Sequence, residues 1–118
     1  MSHRIVIAGQ IDVAPEKRDA ALRDARALID AALAEKGCVA YAWTADVLAP
    51  GRIRVFEEWE SQADLAAHFE GQPYRGMLAH LQGVGILNAV TQKYRTDIVE
   101  PVYGPEGRPR ADFFTAKA

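Results

Sequence analysis

The sequence predicts a single α+β domain with the element order β-α-β-β-α-β, and three observations carry that expectation. The stretches "RIVIAGQIDV", "CVAYAWTADV" and "RIRVFEEWE" alternate side chains with the period of two that strands require. Two other segments space apolar residues three and four apart, and each opens on a helix-start signal, Pro15 or Ser61. At 118 residues the chain suits one domain with a real core and is too short for two.

The first strand, Arg4 to Val13, places Ile5, Ile7, Gly9 and Ile11 on one face and Val6, Ala8 and Gln10 on the other. Both faces are mostly apolar, as in a strand covered on both sides. Pro15 fits the first helical position, and Glu16 and Asp19 suit the positive end of the helix dipole. Leu22, Ala25, Ile29, Ala32 and Leu33 form the buried stripe of this helix, and Gly37 supplies its left-handed stop. The second strand sets Val39, Tyr41 and Trp43 against Ala40, Ala42 and Thr44. In the turn "APGR", Pro50 presets the second position and Gly51 accepts a positive φ at the third. The third strand returns antiparallel, with Ile53, Val55, Glu57 and Trp59 on one face and Arg54, Phe56 and Glu58 on the other. Ser61 and Asp64 form an S-x-x-D helix start, and Gly71 ends that short helix. "PYRGMLAHL" reads as a further turn or two weakened by Gly76, and a last strand runs from about Ile86 to Ile98.

This order is the ferredoxin-like split βαβ arrangement, a four-stranded antiparallel sheet with its helices on one face. The apolar outer sides of the first two strands then need a cover, and a second identical sheet is the economical one, so a homodimer is expected. Residues 1–99 form the domain and 100–118 a tail rich in Pro and Gly. Phe113 and Phe114 favour an arm docked on the dimer over a frayed end.

Composition excludes several classes. Charged residues make up 25% with a net charge of -2, and the basic ones are scattered, so no nucleic-acid or membrane-surface footprint is present. Cys38 is the single cysteine, which leaves no CxxC zinc site and no intrachain disulfide. No stretch approaches the ~20 apolar residues of a membrane span. "MSHRIVIAGQID" has too short an apolar run for a secretory leader, so a soluble, cytoplasmic protein is expected. GxGxxG, P-loop, nucleophile-elbow and HxxxH patterns are all absent, so any enzyme built from these residues is expected to work without metal, flavin or nicotinamide.

The chemistry-bearing candidates cluster in "RVFEEWESQADLAAHFEG". Alternation sends Glu57 and Glu58 to opposite faces, so they are no facing acid–base dyad. Glu57, between Val55 and Trp59 on an apolar face, is either a general base or, as the pattern favours, an architectural carboxylate satisfied by a partner. His68 stands three residues from Leu65 on the inner side of its helix, where it serves equally as a proton carrier or as a hydrogen-bonded core residue. Tyr74 follows Pro73 where it could reach a pocket mouth, and Trp43, Tyr41 and Tyr94 are pocket or core aromatics. His80 is a second, weaker proton-transfer candidate, and Asn88 and Arg95 are minor polar anchors.

The stretch "VFEEWESQADLAAHFEGQPYRGM", with the strand "GCVAYAW", resembles the signature of the antibiotic biosynthesis monooxygenase family, of the quinol-monooxygenase-like kind. The resemblance spans about residues 4 to 98. It implies a dimeric α+β barrel with a pocket between sheet and helices in each subunit. It further implies oxidation of a small aromatic, quinol or polyketide-type substrate by O2 with no cofactor, the substrate anion itself reducing O2. By the same resemblance His68 is the catalytic base or relay, and Trp59, Tyr74, Trp43 and Glu57 surround the substrate. A heme-degrading branch of the fold is disfavoured, because His68 stands where that branch resembles a Trp and no Asn occurs on the first strand. A non-catalytic small-molecule-binding dimer and a proton-shuttling isomerase or dehydratase are the alternatives on this fold.

Overall fold

A computed structural model describes residues 3–115; Met1, Ser2 and the last three residues of the expected tail lie outside the described residues. The elements are β1 (Ile5–Val13), α1 (Pro15–Asp24), α2 (Arg26–Leu33), β2 (Cys38–Ala45), β3 (Arg52–Trp59), α3 (Gln62–Phe69), α4 (Gln72–Val84) and β4 (Ile86–Arg95). They form one antiparallel sheet in the order β2-β3-β1-β4, the ferredoxin-like arrangement expected from the pattern. Ile5, Ile7, Ile11 and Val13 of β1 and Ile53, Val55, Glu57 and Trp59 of β3 turn inward beneath the helices, where Leu65, Met77 and Leu81 meet them. Among the described residues no helix is long and apolar enough to cross a membrane.

Four local features differ from the sequence reading, each for a visible reason. The first helix bends at Ala25, whose N–H donates to Leu22 O at 3.2 Å before Ile29 N–H resumes the ordinary ladder on Ala25 O. Beyond the bend Ala32 is buried while Leu33 is 46% exposed, off the expected stripe. In β2 a register shift between Cys38 and Ala40 inserts Val39 as an extra residue. Cys38 therefore packs against the core, and Val39 faces outward instead of sharing the Tyr41 face. Gly51 has no positive φ; a Cβ there would stand 2.3 Å from Val13 O, so glycine permits close approach to β1. The hairpin turn is held instead by Asp46, which accepts from Leu48 N–H and Ala49 N–H and is gripped by Arg54. Finally, α4 runs thirteen residues straight through Gly76. A Cβ at Gly76 would meet Leu28 Cδ2 at 2.6 Å, so the glycine lets α4 settle on α2.

The segment after β4 closes on itself. Tyr103 and Pro109 form an isolated bridge, Glu100 accepts from the Phe114 and Thr115 N–H groups, and the Arg110 guanidinium stacks 4.7 Å over the Phe114 ring.

Candidate active site

The helices cover β2, β3 and β1 but leave the inner side of β4 open, and a cavity of about 320 Å³ forms along that margin. Its walls are largely apolar: Ile7 and Ile11 from β1, Trp43 from β2, and Tyr74, Met77 and Leu81 from α4. A wider groove of about 680 Å³ continues past Phe69 toward Lys93 and Arg95. The inner volume lies within the ~300–1,000 Å³ of small-molecule sites.

Glu57 is the ionisable carboxylate in the inner wall. β3 places it at mid-sheet, opposite Ile7 on one side and Tyr41 on the other, which leaves the residue 6% exposed. One of its oxygens accepts from the Trp59 indole N–H at 3.0 Å and lies 4.0 Å from His68 Nε2. Burial pushes the Glu57 carboxyl up, against the lowering pull of the Trp59 hydrogen bond and of His68, and the charge of Glu35 adds to the rise. The same apolar setting, with Glu57 nearby, holds the Tyr41 phenol and the Cys38 thiol protonated well beyond neutrality.

His68 lies behind Glu57, outside the cavity lining. Only 2% exposed, it sits in the last turn of α3 with its ring 4.5 Å from that of Trp59 and edge-on to Tyr41 and Tyr74. Its Nδ1 lies 2.5 Å from Glu35 Oε1, and a carboxylate there assigns the N–H to Nδ1. Ser61 positions this helix by capping it, its hydroxyl accepting from Asp64 N–H.

Of the sequence-selected residues, Glu57, Trp43 and Tyr74 line the cavity, with Tyr41 beside them. Trp59, expected around the substrate, is completely buried under His68, because inward alternation at the strand end puts it below the helix rather than beside the cavity. His80 is spoken for by Ala21 O at 2.8 Å, and the Tyr94 hydroxyl bonds Gln92 on the strand's other side. The Trp43 indole N–H is buried without a hydrogen-bond partner. Glu35 was not selectable from sequence: its contact with His68 spans 33 residues, and the weak available signal was that an inward histidine needs a partner. Among the described residues no three His, Cys, Asp or Glu side chains converge as a metal site requires.

Residues 4–79 match the model of the antibiotic biosynthesis monooxygenase family. The chain is 30% identical over 96 residues to the Bacillus subtilis protein named "Putative monooxygenase YcnE", covering 81% of this chain and 99% of that one. It is 33% identical over 70 residues to the uncharacterized protein sll1783 of Synechocystis, covering 59% of this chain and spanning only 47% of that protein's length. Among solved structures, a candidate antibiotic biosynthesis monooxygenase from Deinococcus radiodurans superposes with a TM-score of 0.75 at 16% identity, covering 85% of this chain and 99% of that one. A conserved protein from Methanosarcina mazei superposes with a TM-score of 0.72 at 22% identity, covering 81% and 95%.

Proposed function

Because the chain belongs to the antibiotic biosynthesis monooxygenase family, we propose that it is a cofactor-independent monooxygenase acting on a small phenolic, quinol or polyketide-type aromatic with O2. The observation that carries this reading is Glu57, a buried carboxylate of raised pKa set in the wall of an apolar, aromatic-lined cavity. A base whose pKa lies above the ordinary carboxylate range is better matched to removing a weakly acidic proton near neutral pH.

In this mechanism Glu57 touches the substrate and His68 stands behind it as relay. A substrate whose keto tautomer carries an acidic CH2 gives that proton to Glu57, and the resulting anion passes its electrons to O2. The CH2 becomes C=O, one oxygen atom stays in the product, and the other leaves as water with the two hydrogens. Trp43 and Tyr74 offer flat faces to the ring, and a small movement of Trp43 presents its unpaired N–H to a substrate oxygen. Apolar walls keep bulk water from the anion. The sheet's bare side, with Phe56 and Val90 exposed, supports pairing of two subunits into a homodimer.

The test is oxygen uptake with a panel of hydroquinones and anthrones in the presence of a chelator, comparing wild type with Glu57→Gln. Protein-dependent uptake that falls about 10²-fold or more in the variant is expected. Substrate loss without oxygen consumption would assign an isomerase or dehydratase instead, and tight binding without turnover a binding protein.

A further inference from the structure

We propose that Glu35 is the solvent end of a proton path that runs from the cavity through Glu57 and His68 to the protein surface. The path rests on the reading of Glu57 as the base, and it answers a problem that reading creates. The proton must be held off the reactive anion while O2 reacts and be given back when the second oxygen leaves as water, and exchanging it through the cavity mouth would bring water to that anion.

The three groups form an unbroken line. Glu57 lines the cavity, with its oxygen 4.0 Å from His68 Nε2. His68 Nδ1 contacts Glu35 Oε1 at 2.5 Å, and the Glu35 side chain is 22% exposed where His68's is 1%. Each imidazole nitrogen thus faces a different carboxylate, one toward the cavity and one toward solvent, the arrangement a two-ended carrier needs. Three segments bring the members together: Glu57 comes from β3, His68 from α3, and Glu35 from the connection between α2 and β2.

The first link is an electrostatic contact rather than a hydrogen bond and must close by about 1 Å, as happens when unliganded sites take up substrate. When Glu57 gains the substrate proton it can donate to Nε2. The Nδ1 proton then passes to Glu35 and on to water, leaving His68 neutral in the other tautomer. The reverse shuttle returns a proton to Glu57 when the second oxygen leaves as water and restores the Nδ1–H tautomer, so a complete turnover releases no net proton.

The remaining titratable groups packed around His68 do not compete. Burial and the neighbouring carboxylates push up the acidities of Tyr41 on β2 and Cys38 at the start of β2, which stay protonated. Tyr74 on α4 meets the imidazole with its ring edge, and Trp59 and Phe69 carry no titratable proton. Gly71 also belongs to the arrangement: a Cβ there would stand 2.9 Å from Glu35 Oε2, so the glycine makes room for the carboxylate.

The test uses Glu35→Gln in the full chain, because Gln keeps an acceptor for Nδ1–H but cannot carry a proton onward. With an active substrate from the panel, kcat should fall about 10²-fold with KM unchanged. Added imidazole buffer should restore turnover in proportion to its concentration. Wild-type kcat in the variant overturns the path. So does a loss of kcat that buffer does not restore, the signature of a purely structural tie. If wild type consumes no oxygen with any substrate, the monooxygenase reading fails, and the path, which rests on it, fails with it.

Discussion

Glu57 Oε1 and His68 Nε2 face each other across 4.0 Å of the interior, with the carboxylate on the cavity side and the imidazole sealed behind it. Between a lone pair and a carboxylate this contact repels, whereas one proton on either atom makes it attractive. Burial is what raises Glu57 above its ordinary value of 4.5, against the lowering pull of Trp59 and His68.

That shift has a definite sign in stability. The folded chain holds the Glu57 proton more readily than the unfolded chain, so the contribution is fully present below the unfolded pKa and is lost as pH rises through the folded one. Glu57→Gln keeps an acceptor for the Trp59 N–H and removes the titration. Denaturant unfolding at pH values from about 4.5 to about 8 should show wild type losing stability relative to the variant as pH rises. A gap that stays constant across that range would mean Glu57 is not shifted upward.

His68→Ala should be costly, because the ring is packed among Trp59, Tyr41, Tyr74 and Phe69 and answers two carboxylates at once. The expected loss is about 3 kcal/mol, from the void and from the stranded charges together. His68→Phe refills the space but leaves Glu35 without its imidazole partner and Glu57 with the Trp59 N–H alone, so it should recover only part of that loss in urea unfolding. Full recovery would show that packing alone explains the residue.

How much of this was legible in the sequence follows from the range of each interaction. Strand alternation and helix spacing are local, so the element order and the inward direction of Glu57, Trp59 and His68 could be read directly. The bulge at Val39 and the bend at Ala25 could not, since each is decided by what the segment packs against. The site divides the same way. Trp43 and Tyr74 reach the cavity, but nothing local to His68 shows that Glu57, rather than the histidine, stands at the wall. Glu35 is the extreme case: it sits at a helix end like any solvated acid until the chain brings α3 over it.

Gly37 links the two halves of the path. Its φ of +79° is left-handed, and a Cβ would stand 2.1 Å from Asp64 Oδ2. Asp64 also accepts from the Ser61 hydroxyl at the start of α3, so Gly37→Ala strains the loop that carries Glu35 and the helix that carries His68. The left-handed backbone alone costs about 1–2 kcal/mol for a residue with a side chain. Unfolding free energies should drop by at least about 1 kcal/mol, and the His68 ring nitrogen shifts should move because its Nδ1 partner is displaced. Unchanged imidazole shifts would mean that the loop is not what places Glu35.

The dimer can be tested on the face the helices leave bare. Phe56 is 41% exposed there, paired across the sheet with Ala8 and Ala42, and Val90 and Tyr94 are each 50% exposed. Small and aromatic side chains on an uncovered sheet make a surface that a second copy can cover. Light scattering should give twice the 12.9 kDa subunit mass for wild type and the single mass for Phe56→Glu. A wild-type mass of one subunit would remove the pairing. Alternation puts Phe56 and Glu57 on opposite sides of β3, so the substitution should split the dimer while leaving the Glu57 titration in place. That combination separates lost pairing from lost folding, because a chain that merely unfolded would lose the raised Glu57 pKa as well.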